Sequence, residues 1–353
     1  MSTYTEQRAH ELMLLIRDAL RQLPQVCSEF IQSIDATTQP LTRYAYVSDL
    51  NLFCNYLITE VPKFGQKNLR DLTCEDFGCV TARDIRAYME YLGYYIRDDA
   101  EYSNSPIGKM RKLSSLRSFY EFLFKNGYVK SDVSKLVDMP KKHEKPIIRL
   151  EIDEMARLLD SVESGDGLSE RQKRYNEHTK LRDLAILTLF LGTGIRVSEL
   201  VGLDISDMDF NINGFLVTRK GGNQAILYFS DEVASVLKRY LAMRTEISAQ
   251  QGDEDALFLS LQNRRISVRA VQMMVKKYAS LAAPLKKHLS PHKLRSTFGT
   301  NLYRETGDIY LVADVLGHSD VNTTRRHYAA MSDERRRLAA KKVHLRDDSE
   351  SEN

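Results

Sequence analysis

The chain's 353 residues are enough for two domains, each able to bury a core of its own. Its 42% hydrophobic and 28% charged residues are ordinary for a globular protein, and no apolar run approaches the roughly 20 residues that span a bilayer, so no membrane partner is expected. The net charge of +3 does not by itself point to nucleic acid, because the acidic stretch Asp347-Asp348-Ser349-Glu350-Ser351-Glu352 offsets basic segments elsewhere.

Cys27, Cys54, Cys74 and Cys79 all fall in the first quarter and form no Cys-x-x-Cys pair. The N-terminus lacks the basic-then-apolar order of a signal peptide, so reduced thiols in a cytoplasmic protein are expected.

Leu12, Leu15, Ile16, Ala19, Leu20 and Leu23 repeat at helical spacing until Pro24, an amphipathic helix that packs on its own domain or binds a partner. A second helix follows Pro40, with Tyr46, Leu50, Phe53 and Leu57 on one face. Thr81 and Asp84 form a capping-box pair for a third, carrying Ile85, Tyr88, Met89 and Leu92. The fourth holds Leu113, Leu116, Tyr120, Leu123 and Phe124 and stops at Gly127. Four helices without a strand pattern predict an all-α N-terminal domain. Pro140 to Pro146 reads as an extended basic linker, a solvated tether or a tracker of phosphates.

A further helix begins near Leu150 (Ile152, Met155, Leu158, Leu159), and the polar stretch 164–180 is expected to be a loop or frayed helix. Leu184, Leu187, Phe190 and Leu191 form an apolar helix face ending in Gly192-Thr193-Gly194. Phe215-Leu216-Val217 and the run 225–229 flank Lys220-Gly221-Gly222-Asn223 as a β-hairpin, and a helix follows from Asp231.

Several polar residues here are not demanded by any core pattern. Arg196 follows the glycine turn within Gly194-Ile195-Arg196-Val197-Ser198-Glu199-Leu200, and Lys220 sits at the hairpin tip. Ser290-Pro291 starts a helix, with serine as its cap, on which His292 and Arg295 share a face. His318 lies just past the stop in Leu316-Gly317-His318, and Tyr328 follows on the next short segment. Taken singly, each reads as a surface ion pair, a solvated turn lysine or a core tyrosine.

In series, these motifs resemble the tyrosine recombinase (phage integrase) family, in the family's order and across most of the chain. The layout is most similar to the single-protein Xer-type recombinases, with Val217-Thr218-Arg219-Lys220-Gly221-Gly222 and Ala256-Leu257-Phe258-Leu259-Ser260 supporting that. Two departures stand out: Ser296 follows Arg295 where the family often has histidine, and Tyr328 stands ten residues after His318 instead of nine.

The resemblance implies a mainly α fold. An N-terminal helical extension (1–35) and an all-α, SAM-like core-binding domain (36–139) would be joined by a linker (140–149) to a mainly α catalytic domain with a small antiparallel sheet (150–345). An acidic disordered tail (346–353) would follow. It also implies catalysis by Arg196, Lys220, His292, Arg295, His318 and Tyr328, with Glu199 supporting them from beneath. Arginine forks suit a phosphodiester whose non-bridging oxygens gain charge. His318 adds a hydrogen bond to that phosphate, His292 is the base for the tyrosine, and Lys220 protonates the departing 5′-oxygen.

The product would be a 3′-phosphotyrosine that another 5′-hydroxyl reverses, with no cofactor, metal or nucleotide. His288 and His292 are four apart, but Pro291 starts the helix between them, and no Walker motif is present. The implied partner is double-stranded DNA bound by a homo-tetramer on paired sites, with Lys109, Arg111, Lys112 and Arg117 as DNA contacts or simply a solvated helix face. Chromosome dimer resolution and integration or excision of a mobile element are both open roles. A monomeric DNA-relaxing enzyme is disfavoured by the helix-like segment 332–345, which in the family docks on a neighbouring protomer. A catalytically silent DNA-binding regulator is disfavoured by the full catalytic set.

Overall fold

The structure is a computed structural model and describes residues 4–141, 148–219, 222–286, 289–317 and 321. The chain divides into two compact units, Met1–Lys145 and Pro146–Asn353.

The first unit is built from α1 (Tyr4–Leu20), α2 (Gln25–Ser33), α3 (Pro40–Glu60), α4 (Cys74–Cys79), α5 (Ala82–Tyr91) and α6 (Pro106–Lys125). Its core is aromatic: Phe30 and Phe77 both meet the edge of Phe119, at centroid distances of 5.5 and 5.1 Å. Offset and edge-on contacts of this kind add to the area that the rings bury. The capping box at Thr81 and Asp84 is present and starts α5. A second box, Thr73 with Asp76, starts the short α4.

Pro24 ends the first helical pattern and also stands as N-cap of α2, which periodicity does not reveal because only nine residues follow. The unit also carries a ribbon, β1 (Tyr95–Arg97) and β2 (Ala100–Tyr102), beyond the all-α expectation. Asp98 and Asp99 both take positive φ, as a tight primed turn requires, but lack the Asn-Gly signature that advertises one. Tyr95 stacks on Tyr102 across the ribbon at 5.4 Å.

In the second unit, α7 (Ile152–Ser164), α8 (Glu170–Thr193), α9 (Val197–Val201), α10 (Asp231–Arg244), α11 (Val268–Ala282), α12 (Pro291–Thr306) and α13 (Ile309–Leu316) accompany one sheet. The sheet is antiparallel, in the order β3 (Met208–Asp209), β4 (Gly214–Thr218), β5 (Gln224–Tyr228). Phe215 pairs with Leu227 and Val217 with Ala225, which sends Phe215, Val217 and Leu227 to the core.

Within stretch 164–180 only residues 165–169 are a loop, and the remainder belongs to helix. The Ser169 hydroxyl and the Gln172 side chain cap each other's backbone, and α8 runs from Glu170 through the polar residues into its apolar half. Its polar face conceals the start from hydrophobic periodicity, yet Asn176, Thr179 and Asp183 are buried there. The Tyr278 hydroxyl of α11 donates to Asn176 at 2.7 Å and Asp183 at 3.1 Å, satisfying those groups away from water. Residues Leu184 to Phe190 form the centre of the unit, packed by α7, α10 and α12.

Candidate active site

Arg196, Glu199 and Arg295 are brought together at the point where α8, α12 and α13 end or begin. Gly194 makes the junction possible. It caps α8 in the left-handed conformation (φ 63°), and a side chain there would collide with Phe298 of α12 and press on Leu316 of α13. Close approach of α12 lets Arg295, only 6% exposed, donate to the Gly194 carbonyl.

Arg196 precedes the first turn of α9. Its backbone N–H and its Nη1 both donate to the Glu199 carboxylate, at 2.9 and 2.6 Å. The Glu199 side chain is 4% exposed, whereas that of Arg196 is 30% exposed, so the carboxylate braces the guanidinium from below and leaves its other side open. Charge-assisted bonds of this type are about twice as strong as neutral ones, at about 1.5–3 kcal/mol net.

The remaining anchor is the C-terminal end of α13. Asp308 caps its start by accepting from the N–H groups of Tyr310 and Leu311 at 2.8 and 3.1 Å. Gly317 (φ 59°) ends it. The last four carbonyls of a helix lack partners inside it and carry the negative end of its dipole. Here arginines take them. Arg196 Nη2 donates to Leu316 O at 3.1 Å and Gly317 O at 2.8 Å, and Arg295 Nη2 donates to the same Leu316 oxygen.

Sharing one acceptor fixes the two guanidiniums side by side, an arrangement that suits an anion. Arg219, from the end of β4, adds a third guanidinium, donating to Asp314 O at 3.1 Å and Val315 O at 2.9 Å. The pair Arg196 and Arg295 is the part suited to a phosphate, and Arg219 is tied to the helix end beside it.

His292 lies on the first turn of α12, exposed and three residues before the buried Arg295. Ser290 is the N-cap by position but makes no side-chain capping bond, so Pro291 at the first helical position and the backbone set the start. Lys220, His318 and Tyr328 lie outside the described residues, as do the tail and segment 332–345. Gly317 places the chain neighbour of His318 within the arginine cluster, and Arg219 does the same for Lys220.

The four basic residues of α6 are arranged differently. Lys109 Nζ donates to Met89 O at 2.7 Å, and Arg117 Nη2 to Val137 O at 2.7 Å. Arg111 forks onto the buried carboxylate of Asp49 at 2.5 and 2.7 Å, with Lys112 at 3.3 Å and the Ser115 hydroxyl at 2.7 Å completing its shell. Each holds α6 to another part of its own unit, and Arg111 keeps a 49% exposed side chain. In the second unit, Arg269, Gln272, Met273 and Lys276 lie exposed along α11 and, with Gln172 and Ser290, line an open cleft that runs to the start of α12. Among the described residues no helix is long and apolar enough to cross a membrane, and no group of His, Cys, Asp or Glu could hold a metal ion.

Comparison with known proteins agrees with this arrangement. Residues 149–335 match the phage integrase family. The tyrosine recombinase XerC of Caldanaerobacter subterraneus is 32% identical over 329 residues, covering 90% of this chain and 86% of that one. XerC of Chlorobaculum tepidum is 31% identical over 330 residues, covering 90% and 94%. Among solved structures, the XerH site-specific recombinase bound to palindromic difH substrate superposes with a TM-score of 0.62 at 19% identity, over 82% of this chain and 76% of that one. A lambda integrase dimer bound to a COC′ core site gives 0.56 at 14% identity, over 86% and 76%, a likeness of fold. The chain therefore belongs to the phage integrase family, as a tyrosine recombinase of the Xer type.

Proposed function

We propose that this protein cuts and rejoins double-stranded DNA at paired sites through a 3′-phosphotyrosine on Tyr328. The observation that carries the reading is the convergence of Arg196 and Arg295 on one carbonyl oxygen, with Glu199 beneath. Such a pair is held in place before substrate arrives, so stabilising the charge that builds on the non-bridging oxygens costs little reorganisation. It also lowers the cost of the phenolate, whose unperturbed pKa is about 10.

In this reading His292 accepts the tyrosine proton, His318 bonds the phosphate and Lys220 protonates the 5′-oxygen that leaves. The bond energy is kept in the phosphotyrosine, so a 5′-hydroxyl from another duplex reverses the step. The exposed basic face of α11, leading to His292, supports a DNA path along the second unit.

Lys109, Arg111, Lys112 and Arg117 belong to the same reading as contacts of the first unit, with Arg111 the most exposed to a phosphate. A homo-tetramer on two sites in the cytoplasm belongs to the same reading, and the likeness to recombinases named XerC supports a role in chromosome dimer resolution. The test is a plasmid with two copies of the site recovered from cells by crosslinking. Wild-type protein should delete the intervening DNA, and Tyr328→Phe should bind the site and delete nothing. Deletion by Tyr328→Phe overturns the assignment. Loss of the gene should leave dimeric chromosomes if dimer resolution is the role, and unchanged chromosomes would favour a mobile element.

A further inference from the structure

Arg219 stands one residue before Lys220, where β4 leaves the sheet. Its backbone closes the turn: the N–H donates to Asn223 O at 2.7 Å, and its carbonyl accepts from the Gly222 N–H at 3.0 Å. Its side chain does something the turn does not need. It crosses to α13 and donates to Asp314 O at 3.1 Å and Val315 O at 2.9 Å, one helical turn of the carbonyls that also hold Arg196 and Arg295. The guanidinium lies against Gly317, where a side-chain carbon would collide with it.

The end of a two-stranded ribbon is marginal when only its own turn bonds hold it. A forked cation on a helix C-terminus is a directional anchor that lysine or a neutral donor does not reproduce. Every described arginine of the cluster thus refers its position to the same four residues, Asp314 to Gly317.

We infer that Arg219 is a positioning residue: it ties the end of β4 to the carbonyl platform that orients Arg196 and Arg295, and acts through its chain neighbour on the proton transfer assigned to Lys220. The inference rests on the reading of Lys220 as general acid. In that step the Tyr328 oxygen bonds to phosphorus, the bond from phosphorus to the 5′-oxygen breaks, and the Lys220 ammonium passes its proton to that oxygen. A latch of this kind acts on leaving-group protonation and not on phosphate binding.

The experiment is single-turnover cleavage of a nicked suicide duplex at saturating protein, with the 5′-bridging atom as oxygen or as sulfur, since a thiolate leaves without a proton. Arg219→Ala should slow the oxygen substrate by about 10-fold or more, part of the 10²–10⁴ a general acid contributes. It should cleave the sulfur substrate within about 2-fold of wild type, because no proton is then awaited. Arg219→Lys should fall between, and Arg219→Ala combined with Lys220→Ala should be no slower than Lys220→Ala alone.

A wild-type rate for Arg219→Ala on oxygen overturns the latch. So does an equal loss on both substrates while sulfur rescues Lys220→Ala, because that pattern reports general misfolding of the cluster. If sulfur fails to rescue Lys220→Ala, the general-acid assignment itself falls and the latch with it, whereas covalent capture on Tyr328 in the same assay would leave the recombinase reading intact.

Discussion

Cations are used in opposite ways in the two units. In the second, Arg196, Arg219 and Arg295 come from three separate elements and converge on the carbonyls at one helix end, with Glu199 in contact with Arg196. In the first, Lys109, Arg111, Lys112 and Arg117 come from one helix and diverge to Met89, Asp49 and Val137. Convergence places cationic forks side by side, where an arriving phosphate can use them. Divergence onto separate partners, a shared carboxylate for Arg111 and Lys112 and backbone carbonyls for Lys109 and Arg117, holds a helix in place. Sequence reading counts basic residues equally in both places, and only the partners separate a site from a scaffold.

Substitutions can break or sharpen this contrast, and the largest effect is expected at Arg295. Arg295→Lys keeps the charge but loses the fork buried between Gly194 and Leu316, and cleavage should fall by about 10²–10³, the usual loss for one preorganised donor. Arg196→Lys should lose about 10²-fold in single-turnover rate, since Glu199 still braces a cation there.

Next comes Asp49→Ala, which should lower stability by about 2–3 kcal/mol, below the 3–5 of a fully buried pair because Arg111 is half-exposed. Denaturant titration of the whole protein reads this, and cleavage of bound DNA should be unchanged. A slower chemical step in Asp49→Ala would erase the distinction between the two regions. Removing Asp347 to Asn353 is the smallest perturbation, with recombination expected to persist, because a segment of that composition buries no apolar surface. Removing the chain from Ser332 should instead impair recombination of paired sites, and equal behaviour of the two truncations would reject protomer docking by that segment.

The elements most legible in the sequence were those with an amphipathic face and a chemical start signal. Thr81 with Asp84 announced α5, and the alternation around Phe215 and Val217 announced the hairpin. The first half of α8 was not legible, since its buried residues Asn176, Thr179 and Asp183 are polar, and their partners include Tyr278, about a hundred positions away. The ribbon at Tyr95 was hidden by three-residue strands and an Asp-Asp turn. At the site, motif order named Arg196, Glu199 and Arg295, but nothing local marks Arg219 as a partner of α13. Its role depends on carbonyls ninety-five positions later, and backbone acceptors carry no residue signature.

The central claim is that a tyrosine, not a metal-activated water, opens the phosphodiester. The most direct measurement uses a nicked suicide duplex in excess EDTA without nucleotide, followed by mass spectrometry of the trapped peptide. The arrangement of Arg196 and Arg295 predicts cleavage under those conditions, with the DNA joined through its 3′-phosphate to Tyr328 and a free 5′-hydroxyl on the released fragment. Cleavage that requires a divalent metal and leaves no covalent adduct would contradict it.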